Sequence, residues 1–159
     1  MRLPRVIRLD QSDTRIFERA AEPGEWAVTG AFAFANADPA ALTGKRRQAF
    51  TNGFLGTTSF GRSTLVEVAE IDEAGHADVI QRLALHFITD YGAPDLEAAL
   101  PAARDEVAFA ASIAEHKLHT LLAVKRELGE RGIVERFSVI TPARATEHAK
   151  IWDVVEDDA

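Results

Sequence analysis

The stretch from Asp72 to Ala114 constrains the fold most, because its apolar residues recur at helical spacing on both sides of one glycine, Gly92. The apolar stripe before this glycine consists of Val79, Ile80, Leu83, Ala84, Phe87, Ile88 and Tyr91. Asp72 is a favourable N-cap and Gly92 a favourable C-cap, which predicts a first helix between them. Asp95 can cap a second helix, and we expect Pro101 to interrupt or restart it. A smooth face on this second helix is formed by Ala103, Val107, Ala110, Ala111 and Ala114.

Segments with strand character flank these helices on both sides. The predicted strands cover residues 5–10, 14–19, 26–35, 64–71, 120–128 and 133–140. Between the third and fourth of them, Asp38 and Pro39 signal a helix start, and a short helix restarts near Thr43 and ends at Gly53. This order predicts an α+β fold, in which a mainly antiparallel sheet of about five to six strands carries two to three helices on one face.

The last two predicted strands form a hairpin, because the residues between them read Gly-Glu-Arg-Gly. Pairing across this turn sets Lys125, Arg126 and Glu127 opposite Glu135 and Arg136. Charged residues of both signs on paired strands are typical of a solvated face. We therefore expect all of these side chains on the outer, wet side of the sheet.

Residues 26–35 have the clearest alternating pattern. Trp26, Val28, Phe32 and Phe34 would share one face of a strand, and small residues, mostly alanines, would occupy the other. A smooth alanine face permits close approach of a helix or of a second chain. The pattern predicts a central strand that is covered on both sides, or one that lies in an interface.

Composition excludes several classes of site. The 159 residues include no cysteine, which rules out disulfides, thiolate nucleophiles, iron–sulfur clusters and cysteine-based zinc sites. The formal net charge of −7 opposes binding to nucleic acid or anionic lipid. No apolar run reaches the roughly 18 residues of a membrane span, and the lack of cysteine favours the cytoplasm. We expect one α+β domain over residues 1–142 and an acidic, apolar tail over residues 143–159.

The loop of residues 53–63 comes close to a phosphate-binding loop. Four residues separate Gly56 from Gly61, and Arg62 and Ser63 follow where that motif has lysine and a hydroxyl residue. The motif needs a strand before it and a helix after it, whereas here a helix precedes the loop and a strand follows. We therefore favour a structural loop whose glycines permit a tight path. Binding of an anionic ligand by these four residues is the alternative.

Titratable residues indicate no catalytic or metal site. The spacing of His116 and His119 suits a metal only on one helical turn, with Glu115 as a third ligand, but the helix is expected to end there. Neighbouring carboxylates such as Asp105 and Glu106 show no apolar seclusion of the kind that shifts a pKa. The sequence thus predicts no catalytic residue, no metal and no cofactor.

The tail contains apolar residues at helical spacing. Ile151, Trp152 and Val155 would lie on one helical face together with His148. Large apolar side chains are costly to leave in water, so we expect the tail to dock on its own domain. Capture by another subunit or a partner protein, with Ile151, Trp152 and Val155 as docking residues, is the alternative.

Four stretches together resemble a family of small proteobacterial proteins known only as a domain of unknown function. They read RLDQSDTRIFERAAEPGEWAVTGAFAFA, KRRQAFTNGFLGTTSFGRSTLVEV, YGAPDLEAALPAARDEVAFAASIAEH and, in the last strand, ERF. The resemblance extends over residues 5–142 and implies a single folded unit. It supplies no activity and no catalytic residues.

Two functional hypotheses follow. The first is a non-catalytic accessory or interaction protein of the cytoplasm, which self-associates as a homodimer through its alanine surface or docks a partner protein through its tail. The second is a small-molecule binding protein or enzyme that uses residues 53–63, with Arg62 holding an anionic group. Neither hypothesis involves nucleic acid or a membrane.

Overall fold

A computed structural model describes residues 1–141 of the chain. Its elements are β1 (Arg2–Ile7), α1 (Ser12–Ile16), β2 (Ala27–Val28), α2 (Gly44–Asn52), β3 (Phe54–Gly56), β4 (Arg62–Ser63), β5 (Leu65–Glu70), α3 (Glu73–Tyr91), α4 (Leu96–Ile113), β6 (Leu121–Gly129) and β7 (Gly132–Ile140). Two short 3₁₀ segments, Ala31–Phe34 and Pro39–Ala41, lie between β2 and α2. None of the helices within these 141 residues is both long and apolar enough to cross a membrane.

The strands form two antiparallel sheets, which confirms the α+β class. The larger sheet has the order β1-β5-β6-β7 and the smaller one the order β2-β3-β4. Isolated bridges from Arg5 to Trp26 and from Ala20 to Arg62 join further parts of the chain to these sheets. The sequence predicted a single sheet, because it did not show that residues 53–63 contain two short strands.

Two predicted strands in the N-terminal half are wrong. Residues 14–19 do not form a strand, since α1 covers Ser12–Ile16 instead. The predicted strand at 26–35 ends after Val28, because Gly30 adopts a left-handed conformation (φ 81°) and the chain turns into the 3₁₀ segment. An added Cβ at Gly30 would lie 2.6 Å from both the Leu55 Cβ and Arg62 Nη1. This close packing requires glycine at the turn.

The two long helices are confirmed together with their caps. The Asp72 carboxylate accepts a hydrogen bond from the Gly75 amide (2.7 Å), and the Asp95 carboxylate accepts one from the Ala98 amide (2.9 Å). The expected interruption at Pro101 is wrong, because α4 runs through this residue. Proline lies close to the start of the helix, where it removes a single backbone hydrogen bond.

The alanine face of α4 is buried within the chain. Ala99, Ala103, Val107 and Ala110 belong to the same core cluster as Val79, Leu83 and Ala84 of α3. The small side chains permit the two helices to pack closely along their length. This face is therefore not a surface through which a second subunit could associate.

Arg126 connects the two sheets. The predicted hairpin register is confirmed, with Arg126 opposite Glu135, but the expectation that Arg126 faces solvent is wrong, since the residue is only 1% exposed. It shares a strand face with the buried Leu122 and Val124, as strand alternation requires. Its Nε donates to the Glu135 carboxylate at 2.8 Å.

The remaining guanidinium donors of Arg126 bind backbone carbonyls of other elements. Nη1 donates to the carbonyls of Phe50 and Gly53, both at 2.9 Å, and to that of Ala49 at 3.3 Å. Nη2 donates to the carbonyl of Thr29, just after β2. A single side chain of β6 thus binds strand β7, the end of α2 and the segment that follows β2.

Replacement of this guanidinium tests its structural role. We expect Arg126→Met to lower the free energy of unfolding by about 3–5 kcal/mol, because it leaves Glu135 and several buried carbonyls without a partner. Arg136→Met is the matched control, since that exposed arginine on the neighbouring strand pairs only with Glu127; we expect a loss below about 1 kcal/mol. Urea denaturation measures both values, and equal losses would contradict the role assigned to Arg126.

Candidate functional site

The loop between β3 and β4 binds a carboxylate of its own chain. The amides of Thr58 and Ser59 donate to Glu25 Oε1 at 2.9 and 2.8 Å, and the Ser59 hydroxyl donates to Glu25 Oε2 at 2.6 Å. Burial alone would raise the pKa of Glu25, but these hydrogen bonds and one from the Glu22 amide lower it below its ordinary value. The loop donors that could hold an anion are thus engaged with Glu25.

The four predicted ligand residues of this loop lie close together and have partners within the chain. Arg62 is 8% exposed and donates to the carbonyls of Gly30 (3.3 Å) and Gly53 (3.2 Å). The Ser63 hydroxyl donates to the carbonyl of Leu65, at the start of β5, at 2.8 Å. Gly56 and Gly61 pack so tightly that a Cβ at either position would contact neighbouring atoms. Ligand binding by these four residues stays a prediction.

Burial shifts the ionisation of Arg62. Desolvation lowers the pKa of its guanidinium to about 9, and the positive charge of Arg126 acts in the same direction. The group also lies over the ring of Phe34, at 5.0 Å from the centroid. The hydrogen bonds of Arg62 go to the neutral carbonyls of Gly30 and Gly53. The carboxylate whose charge favours the protonated guanidinium is that of Glu135.

The histidines do not form a metal site in the described part of the chain. His116 and His119 follow the end of α4, and the His119 ring lies 2.9 Å from a carboxylate oxygen of Glu67. Among residues 1–141, no group of three histidine or carboxylate side chains is placed to hold a metal ion. The predicted docking residues Ile151, Trp152 and Val155 lie outside the described residues.

A cleft of about 380 Å³ opens between the 3₁₀ segment Ala31–Phe34, the end of α3 and the first half of α4. Its lining residues are Phe32, Ala35, Asn36, Phe87, Tyr91, Gly92, Ala93, Ala98, Ala99, Ala102 and Glu106. The volume is in the range of small-molecule sites, and the lining is apolar with few polar groups, as is typical of such sites.

Aromatic rings form one wall of the cleft. Phe32 packs edge-on against Phe87 and Tyr91, with ring centroids at 4.9 and 5.4 Å. The turn at Gly30 directs Phe32 toward α3 rather than along a strand. Tyr91 stays 47% exposed and can therefore contact a ligand.

Alanines of α4 provide the space on the opposite wall. Ala98, Ala102 and Glu106 follow one another at intervals of four residues, so they form a single row along the helix. Ala99 lies beside this row and belongs to the buried core. Small side chains leave room above the helix, and Glu106 ends the row.

Glu106 is the charged residue in the lining of the cleft. It is half-buried, and within residues 1–141 no hydrogen bond or ion pair engages its carboxylate. Burial raises the pKa of Glu106, the carboxylates of Glu135 and Asp105 raise it further, and Arg126 opposes them. The expectation that neither Asp105 nor Glu106 is secluded is therefore wrong for Glu106. The row of alanines that precedes it is the sequence signal that could have revealed it.

A second cavity, of about 540 Å³, is larger and is lined by more ionisable residues. Met1, Arg2, His76 and His116 are among its lining residues. Arg2 is already engaged there, since Nη1 donates to the carbonyl of His116. The smaller cleft is the stronger candidate, because it combines an aromatic wall with the half-buried carboxylate of Glu106, whereas Glu115 in the lining of the larger cavity is exposed.

The ionisation of Glu106 can be measured directly. We expect a carboxyl NMR titration to give a midpoint above the ordinary glutamate value of 4.5, because burial disfavours the charged form. Because this pKa is raised in the folded state, the protonated carboxyl favours folding at acid pH. This stabilisation is lost as the pH rises from the ordinary glutamate pKa through the raised pKa of Glu106. Glu106→Gln should remove this pH-dependent loss, whereas Asp105→Asn should only reduce it, because burial is the main cause of the raised pKa and the charge of Asp105 a smaller one. A midpoint at or below 4.5 would contradict the seclusion of Glu106.

Comparison with known proteins assigns a family without an activity. No curated protein and no solved structure matches the chain. One family model, described as a family of unknown function, matches residues 1–156 and so includes every described element. The chain therefore belongs to the family of unknown function DUF6505.

Proposed function

We propose that this protein binds a small molecule in the cleft between the 3₁₀ segment Ala31–Phe34 and helices α3 and α4. The observation that carries the proposal is the carboxylate of Glu106, which faces an apolar cleft without a protein partner. A half-buried carboxylate with no partner destabilises a fold. Secluded carboxylates of this kind are frequent at functional sites.

The other lining groups support binding. Phe32 and Tyr91 offer ring faces and edges, and Asn36 offers an amide at the rim. A few polar groups placed among apolar walls provide orientation, while the walls provide the hydrophobic contribution. This site differs from the predicted one at residues 53–63, where Arg62 and the loop amides have partners within the chain.

Filling the cleft tests the proposal. We expect Ala102→Trp to abolish binding of ligands found by NMR screening of a library of small aromatic and aliphatic compounds, because the indole would occupy the space above α4. Ala108→Trp is the matched control, since Ala108 is also an exposed alanine of α4 but does not line the cleft. Ligands that bind wild type and both variants equally would place the site elsewhere, and a library without a ligand for wild type would count against the proposal.

Self-association is a second proposal, which one surface supports. Phe109 of α4 is 43% exposed and contacts Phe137 of β7, and Val139 on the same strand is 53% exposed. Within residues 1–141, strand β7 lies at the edge of the larger sheet and has β6 as its one neighbour. Exposed edge strands with apolar residues favour pairing with another chain. A second copy of the chain, paired along β7, would extend the sheet and cover this patch.

Light scattering tests the homodimer. We expect wild type to have the mass of a dimer, and Val139→Lys to have that of a monomer, because a lysine on an edge strand disfavours pairing. Leu85→Lys replaces an equally exposed apolar residue on α3 and should leave the mass unchanged. A monomeric wild type would rule out the interface.

A further inference from the structure

We infer that the ligand of the cleft is an organic cation, an ammonium group on a small aromatic or aliphatic body. The inference rests on the proposed binding function and specifies its ligand class. Its basis is the combination of three features in one cleft: an unpaired carboxylate, the end of a helix and a wall of aromatic rings.

The charged side chain that lines the cleft is negative, and the buried guanidinium of Arg126 offsets part of this charge. Glu106 contributes a carboxylate without a protein partner, and no lysine or arginine is among the residues that line the cleft in the described part of the chain. Asp105 lies next to it on α4. The carboxylate of Glu135 is nearby but is engaged with Arg126 at 2.8 Å. A bound ammonium would give Glu106 the partner that the fold does not supply.

The partial charges of the helix termini that border the cleft also favour a cation. The C-terminus of the 19-residue helix α3 reaches the cleft at Tyr91 and Gly92, and its last turn has no basic residue. The end of such a helix carries a partial negative charge, which favours a cation. The N-terminus of α4 also borders the cleft, but Asp95 caps it and Glu97 lies in its first turn, so its partial positive charge is compensated.

The aromatic wall suits a cation that carries an apolar body. Ring faces attract ammonium groups placed within about 6 Å of the centroid. The perpendicular packing of Phe32 against Phe87 and Tyr91 presents both edges and faces to the cleft. Because Tyr91 is 47% exposed, its ring can cover a ligand without a change in the core.

The size of the cleft limits the ligand. A volume of about 380 Å³ accommodates a single ring or a short chain with its ammonium group, and excludes a large polymer as an enclosed ligand. An anionic ligand of the same size would lie beside Glu106 and the end of α3, and both would repel it. A neutral ligand would leave the carboxylate unpaired.

Three probes of nearly equal shape test the ligand class. They are phenethylamine, phenethyl alcohol and hydrocinnamate, which carry an ammonium, a hydroxyl and a carboxylate on the same phenyl body. Amide NMR titrations at a pH above the measured midpoint of Glu106 compare their affinities. We expect phenethylamine to bind at least about tenfold more tightly than the alcohol and hydrocinnamate to bind most weakly.

Two variants assign the selectivity to the carboxylate. Glu106→Gln should reduce the affinity for phenethylamine about tenfold and leave that for the alcohol unchanged, because it removes the charge and keeps the shape. Asp105→Asn removes a charge from the same turn of α4 outside the cleft, and we expect a change of less than about twofold. The backbone amide resonances that shift on addition of phenethylamine should be those of residues that line the cleft, such as Tyr91 and Glu106.

The outcomes separate this inference from the proposal on which it rests. If the alcohol binds as tightly as the amine and Glu106→Gln has no effect, the ligand is not a cation, although the cleft still binds small molecules. Tighter binding of hydrocinnamate would overturn the inference in the same way. If none of the three probes binds wild type, the cation inference fails, and the library screen decides separately whether the cleft binds small molecules.

Discussion

The fold depends on the burial of one guanidinium group. Arg126 projects from the core face of β6 and binds Glu135 of β7, three carbonyls near the end of α2, and the carbonyl of Thr29. Few other side chains could satisfy so many acceptors, because arginine has five donors in a fixed planar arrangement. The ends of short helices and strands leave carbonyls unpaired, and this group neutralises them where the two sheets meet.

The same interaction governs the charge balance around the cleft. Arg62 and Arg126 both donate to the carbonyl of Gly53, so two buried cations lie close together. Glu135 binds Arg126, and Glu106 lies near enough for Arg126 to oppose the rise of its pKa. Burial still raises the pKa of Glu106, and the charge of Arg126 offsets only part of this rise.

Periodicity in the sequence predicted the helices, their caps and the register of the final hairpin. These features depend on contacts between residues that are near one another in sequence, such as the Asp72 cap and the Arg126–Glu135 pair. The burial of Arg126 could not be predicted, since its carbonyl partners belong to residues far away along the chain. The seclusion of Glu106 was not predicted for the same reason, because the cleft that it lines combines α4 with the segment after β2.

The largest error in the prediction of strands concerns the segment that forms a wall of the site. Residues 26–35 alternate as a strand does, yet the left-handed turn at Gly30 starts a 3₁₀ segment, in which Phe32 and Phe34 lie on different faces. Phe32 then packs against Tyr91 at the cleft, while Phe34 packs against Phe50 and under the guanidinium of Arg62. A regular strand would have kept both rings on one face. The aromatic wall and the packing of Arg62 therefore both depend on this one glycine, at a position where the atoms of Leu55 and Arg62 leave no room for a side chain.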